Sequence, residues 1–377
     1  MNPKTARCFV LLVSLLAVGA PVSILADDGA ASIAAGGLVP RRETRIVMAK
    51  EVLKISLKKV VVDYGFRNDT DQDVTTEVAF PIPPYSNEFA VGPALEDQSF
   101  QSFKLWVDGK PVDYESEATA TLNGNDVSAI LKANHIDIPT FGHFIDKVDS
   151  KHQEVIDSPD FTRLPKNKRD QLVKAGIFEF DDVPWGKWTD HLQYHWTQTF
   201  AAHTTVHIRH EYSPIAGFAY DYRESAAQRL LEAGKIPVDE AKPKPLGPED
   251  SADLASFCFG LPLAKSMAAS FPQQSSNAPA DENSIPTLWT QWVDFILTSA
   301  NTWQRPIEDF ALIVERPQPE HGGRVVISFC PPKNGKVEKL DADHFQVHLT
   351  NFVPTAELHI GFFEVPLAKP TQAAVKK

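Results

Sequence analysis

The sequence has no uninterrupted apolar run of about 18 residues, the minimum for a bilayer-spanning helix, which excludes a polytopic helical membrane protein. Basic charge is also scarce. The 37 Lys and Arg residues stand against 49 Asp and Glu, a formal charge of −12. A general nucleic-acid binder needs the opposite balance, so no nucleic-acid partner is expected. Known catalytic signatures are missing as well: no G-x-S-x-G elbow, no H-E-x-x-H, no Walker loop and no dinucleotide glycine fingerprint. Ser256-Phe-Cys-Phe-Gly260 lacks the first glycine of a strained nucleophile elbow, so Cys258 is not read as a nucleophile. No cofactor is expected.

What is present points to an exported β protein. Of 377 residues, 43% are hydrophobic, enough for one or two ordinary cores. With 29 Pro, 19 Gly and 23 Phe, the chain has many turn positions and many β or core positions. Lys4 and Arg7 precede a short apolar run from Cys8 to Ala20, and Ala26 is followed by Asp27-Asp28. This is the pattern of an export signal over 1–26, cleaved after Ala26. It leaves no stable membrane span in the mature chain and implies a periplasmic or secreted location. Lys4 and Arg7 are the only charged side chains it removes, so the mature chain is more acidic still. Cys258 and Cys330 then remain, and an even pair in an oxidising compartment reads as a disulfide.

Period-2 alternation marks the strands. Leu53-Ile55-Leu57, Val60-Val62-Tyr64-Phe66 and Val74-Thr76-Val78-Phe80 each share a face, and the polar run Asn68 to Asp71 between the last two predicts a hairpin. Asp108-Gly109 predicts a two-residue turn after Phe103-Leu105-Val107. Helices are expected around Val127–Leu131, over Pro165–Ala175 with Gly176 as a stop, and around Glu224–Ala233. Strands resume at Tyr194-Trp196-Phe200 and Val206–Tyr212, then at Val293, Phe310 and Val325, and end in a Phe345/Leu358 meander. The expected fold is mainly β: two antiparallel β-sandwich-like parts, with a helical insertion in the first and a polar linker between them. The domains are 27–215 with the insert at about 121–184, helix and polar linker segments over 216–287, an antiparallel β part over 288–366, and a flexible tail over 367–377.

Three groups invite a site. Asp69, Asp71 and Asp73 have the spacing of the first EF-hand ligands, but Val74 and Phe80 stand where glycine and glutamate are needed, so a solvated turn is preferred. His191, His195, His203, His207 and His210 are too far apart or on opposite strand faces to share a metal. If the last two strands pair, His348 and His359 become neighbours, with Glu357 as a third ligand, a candidate metal site, but a solvated polar face without metal is preferred. Trp185, Trp188 and Trp196 cluster where the insert rejoins the sheet; packing against the insert is the preferred reading, and exposed they are the candidate binding patch for a glycan.

The blocks DGAASIAAGGL (28–38), VVVDYGFRN (60–68), DVTTEVAFPIP (73–83), YHWTQTF (194–200), HEYSP (210–214), LTSANTW (297–303) and SFC (328–330) occur in this order. Together they resemble the exported bacterial family known as domain of unknown function 4424, over nearly the whole mature chain. The resemblance implies an envelope or secreted protein with no assigned activity. The first block of strands is also similar to the β-sandwich domain shared by vault and inter-alpha-trypsin-inhibitor proteins, which implies a sandwich and nothing about function. The reading that follows is a non-enzymatic module binding an envelope protein or glycan. The alternatives are an envelope hydrolase with an unrecognised site and a structural or assembly factor.

Overall fold

The computed structural model describes residues 28–34, 37–86, 90–91, 102–139, 145–148, 154–157, 159–181, 183–238, 246, 253–271 and 285–367. The expected signal over 1–26, its cleavage after Ala26 and the tail beyond Leu367 lie outside the described residues. Strands dominate, and they gather into three large sheets. Eight strands run in the order Glu338–Lys339, His344–Phe352, Ile307–Glu315, Ile46–Ile55, Val60–Asn68, Thr205–Tyr212, Lys104–Val107 and Lys110–Pro111. Six run Asn125–Asp126, Glu115–Leu122, Thr189–Phe200, Val74–Pro81, Gly29–Ala34 and Gly37–Pro40. Five run Arg324–Phe329, Leu358–Val365, Thr287–Phe295, Ala216–Tyr222 and Ala90–Val91.

One core joins all three sheets. Phe66, Phe310 and Leu312 come from the eight-stranded sheet, Phe80, Trp196 and Phe200 from the six-stranded, and Phe295 and Ile360 from the five-stranded. Ring contacts cross the layers: Phe66 meets Phe200 at 5.8 Å, and Phe80 meets Phe295 at 6.2 Å. This is the interdigitation expected of sheets packed face to face.

Two pairings differ from the sequence expectation. Val60–Asn68 and Val74–Pro81 do not form a hairpin. The first pairs with Ile46–Ile55 and Thr205–Tyr212, the second with Thr189–Phe200 and Gly29–Ala34. Asn68 turns the chain between the sheets. Its side-chain amide donates to the carbonyls of Gln72 and Phe200, and its Oδ1 accepts from the Thr70 amide and hydroxyl. Likewise His344–Phe352 pairs with Ile307–Glu315 in one sheet, while Leu358–Val365 pairs with Thr287–Phe295 in another. Alternation says which side chains share a face, and a corner between packed sheets satisfies it as well as a hairpin does.

The polar stretches within 216–287 do not separate two cores. Ile307–Glu315 lies parallel to Ile46–Ile55, with Leu312 opposite Leu53. Segments 27–215 and 288–366 therefore share a sheet, and both feed the same apolar cluster.

Helices occupy two places. The insert carries Ser128–Ala133, Pro159–Thr162 and Lys166–Lys174, with a small core of Leu131, Phe161, Leu172, Phe178 and Trp188. Helices Arg223–Ala233 and Gly260–Ala268 cover the outer face of the five-stranded sheet through Leu230, Ala264, Met267, Trp292 and Phe363. Gly217 is required there, because a Cβ at that position would fall 1.9 Å from the Trp292 ring. Among the described residues, no helix is long and apolar enough to cross a membrane.

Candidate functional site

The metal candidates are not brought together. With their strands in different sheets, His348 Nε2 lies 2.7 Å from Asp309, and His359 Nδ1 lies 2.6 Å from Asp294. His359 is buried and stacks on Phe257 at 4.2 Å. Glu357 caps the turn at Thr298 instead, accepting from the amides of Leu297 and Thr298 and from the Thr298 hydroxyl. The candidate His348–His359–Glu357 metal site therefore does not form, because the hairpin register it required does not exist. Among the described residues, no three His, Cys, Asp or Glu side chains converge to hold a metal.

The remaining acids and histidines pair off separately. Asp69 meets Arg67, Asp71 meets His203, and Asp73 accepts from the Ala202 amide. His195 Nδ1 is 2.7 Å from Glu77, His191 is 2.9 Å from the Thr121 hydroxyl, and His210 is 2.8 Å from Asp28.

The tryptophan patch is corrected too. Trp188 is buried in the core of the insert, its indole donating to Asp190, and Trp196 is buried in the main core. The side chain of Trp185, on Val183–Gly186, lies outside the described residues. Large rings at sheet junctions bury because that removes the most apolar area from water.

A different aromatic surface forms on the five-stranded sheet. In Ala216–Tyr222, residues 216, 218, 220 and 222 share one face. In the neighbouring strand, 293, 291, 289 and 287 share it, in register as Ala216↔Val293, Phe218↔Gln291, Tyr220↔Trp289 and Tyr222↔Thr287. Ala216 and Val293 enter the central core, whereas the other end of this face runs out beyond it. There Phe218 and Tyr220 each lie 5.8 Å from Trp289, and Tyr220 lies 5.1 Å from Tyr222. Tyr220 is 50% and Tyr222 48% exposed.

His321 completes the platform. Its imidazole stacks on Trp289 with centroids 4.0 Å apart and planes 9° apart. Glu364, in register with Trp289, holds it there. The carboxylate accepts from the amides of Glu320, His321 and Gly323 at 2.8–2.9 Å and lies 3.1 Å from His321 Nδ1. Burial pushes the Glu364 carboxyl up, but the three amides and the imidazole together outweigh it and hold the group below the usual glutamate range. Gly323 permits the approach, since a Cβ would sit 2.4 Å from the Val365 carbonyl.

Chemically the platform can stack and donate neutral hydrogen bonds. Rings at these separations present apolar faces edged by donors in the Tyr hydroxyls and the Gln291 amide, while the Thr287 hydroxyl donates to the Ile285 carbonyl and is left as an acceptor. Glu364 has its oxygens occupied by the turn it anchors, which makes it a poor acid or base. The sequence signal for this surface is Phe218-Ala-Tyr220-Asp-Tyr222, an aromatic strand alternation following Pro214. It is overlooked if Pro214 is taken to end the β region.

Cys258 and Cys330 are joined by a disulfide across a separation of 72 residues. It ties the short helix Leu254–Phe257 to the end of Arg324–Phe329, where the Ser328 hydroxyl also donates to the Phe257 carbonyl.

Comparison with known proteins adds a family. No curated protein matches the chain. A solved Legionella pneumophila protein, described as a "putative nutrient binding protein", is 15% identical over 89% of this chain and 71% of its own, with a TM-score of 0.37. At that score the likeness bears on neither fold nor function. Residues 26–360 match the profile of the domain of unknown function 4424, and the chain belongs to that family.

Proposed function

We propose that this protein is an exported, non-enzymatic binding protein of the bacterial envelope, and that the platform of Phe218, Tyr220, Tyr222, Trp289 and His321 binds an envelope glycan. The observation that carries the reading is the exposed, contiguous ring surface at the end of the five-stranded sheet. Isolated exposed rings are ordinary, but a contiguous aromatic patch is a marker of recognition. Its one buried carboxylate is engaged by backbone amides, which weighs against the hydrolase alternative. The charged and apolar order of residues 1–26 and the Cys258–Cys330 disulfide support export.

The test is co-sedimentation of the purified protein with insoluble envelope glycan from its host. Wild type should pellet and Trp289→Ala should stay in the supernatant, whereas equal pelleting of both would remove the platform from the function. Fractionation of cells expressing the full chain should place it outside the cytoplasm, with Asp27 as its first residue.

A further inference from the structure

We infer that the ligand class of the platform is an uncharged polysaccharide, bound along its length across several sugar rings. This rests on the glycan reading above and narrows it. The first observation is geometry. Phe218, Tyr220 and Tyr222 follow one another at every second residue of a single strand, so their Cα atoms span about 13 Å. Trp289 lies beside them on the next strand, and His321 extends the surface away from them. The rings form a row on a sheet face, so they offer stacking positions to consecutive sugars. A terminal sugar would call for an enclosing pocket.

The second observation is charge. The side chains that alternate with the rings on this face are Gln291 and Thr287, both neutral. Glu364 is held at the base of the 320–323 turn by its amides. Asp221 points to the opposite face and pairs with Arg229 at 2.5 Å. No lysine or arginine stands in register with the rings among the described residues of this face. The chain as a whole carries −12, which repels a polyanion before it reaches the sheet. Stacking and neutral hydrogen bonds therefore have to supply the affinity, and an uncharged sugar chain is what they fit.

The test is electrophoresis of the folded protein through native gels cast with single soluble polysaccharides. The neutral set is a β-glucan, a galactomannan and a xylan, and the acidic set is polygalacturonate and alginate. Retardation by at least one neutral polymer and none by the acidic ones is expected. Tyr220→Ala, at a half-exposed side chain outside the buried core, and Trp289→Ala should each weaken retardation by about tenfold, the loss of one stacking contact. Trp289→Phe should retain most of it. Oligosaccharides of that polymer should compete better with each added unit up to about three or four, in keeping with the length of the row.

Retardation by acidic polymers alone, or full competition by a monosaccharide, would overturn this inference and leave the glycan reading standing. Retardation by no polymer would remove both. Should Trp289→Ala instead convert a dimer to a monomer in sedimentation equilibrium, the face is a contact between copies and the sugar assignment falls.

Discussion

His210 Nε2 lies 2.8 Å from Asp28 Oδ1, and neither side chain is exposed to solvent. The imidazole is ringed by Tyr64, Phe80, Phe103 and Trp196, at 4.8–5.6 Å. The Asp28 carbonyl accepts from the Trp303 indole. Asp28 is therefore tied to Thr205–Tyr212 through His210, to Val60–Asn68 through its amide on the Tyr64 hydroxyl, and to Trp303. Asp28→Ala leaves the imidazole without its partner in an apolar cage and should lower unfolding stability by about 3 kcal/mol. Asp28→Asn keeps a hydrogen bond and should lose less. Urea titration of the three proteins measures this, and equal midpoints would show the pair to be idle.

The same pair carries a pH dependence. Burial raises the Asp28 carboxyl above its ordinary value, more than the His210 partner lowers it. A raised folded value favours the native state while the group is protonated, and that advantage is lost as pH rises through it. Relative to Asp28→Asn, wild type should thus become progressively less stable as pH is raised from about 4. Urea midpoints from pH 4 to 7 give the slope, and a slope of opposite sign would reverse the assignment.

The Cys258–Cys330 link closes a long loop, its ends separated by 72 positions in sequence. In the loop-entropy account such a closure stabilises by about 4 kcal/mol. Cys258→Ser with Cys330→Ser should lower the thermal midpoint, and reductant should shift wild type to the same place while leaving the double variant unmoved. Thiol titration of the unfolded, unreduced mature chain should find no free cysteine.

The strands could be read from the sequence, but their partners could not. Alternation located Val60–Phe66, Val74–Phe80, Phe310–Val314 and Leu358–Phe362, and all four are strands. Asp108 and Gly109 take the positive φ values, 48° and 75°, that a tight hairpin turn requires. Pro165 and Gly176 bracket Lys166–Lys174 as expected. Pairing depends on which buried faces meet across the core, information that local periodicity does not contain. That is why alternation allows His348 to neighbour His359 while the fold puts them in separate sheets. Exposure is equally non-local. Trp188 and Tyr220 are both large rings beside polar neighbours, yet the insert covers one and nothing described covers the other to the same degree.

The parallel pair Ile46–Ile55 and Ile307–Glu315 joins sequence segments more than 250 residues apart in the middle of one sheet. Removing Ile307–Glu315 exposes the unpaired edge of Ile46–Ile55 and strips Phe310, Leu312 and Val314 from the core. A fragment ending at residue 215 should therefore fail to fold alone, giving no dispersed amide spectrum. The full mature chain should unfold in a single transition seen alike by far-ultraviolet dichroism and tryptophan fluorescence. A folded fragment 27–215 would show two separable units.

Glu364 offers the sharpest control over the platform, because one carboxylate organises a whole turn. With its folded value held below the ordinary glutamate range, its contribution is present above about pH 4.5 and fades as pH falls through that lower value. Glu364→Gln removes the charge and one acceptor oxygen from a site that accepts from the Glu320, His321 and Gly323 amides. At neutral pH, those amides should exchange with deuterium faster in the variant, while amides of the central core keep their protection. The His321 ring should also leave the Trp289 face, changing indole fluorescence without a change in global stability comparable to that of Asp28→Ala. In wild type the same acceleration, beyond the intrinsic pH dependence of exchange, should appear only on acidification below about pH 4.5. If the amides stay protected in Glu364→Gln, the turn is held by its backbone alone, and His321 owes its place over Trp289 to stacking rather than to the carboxylate.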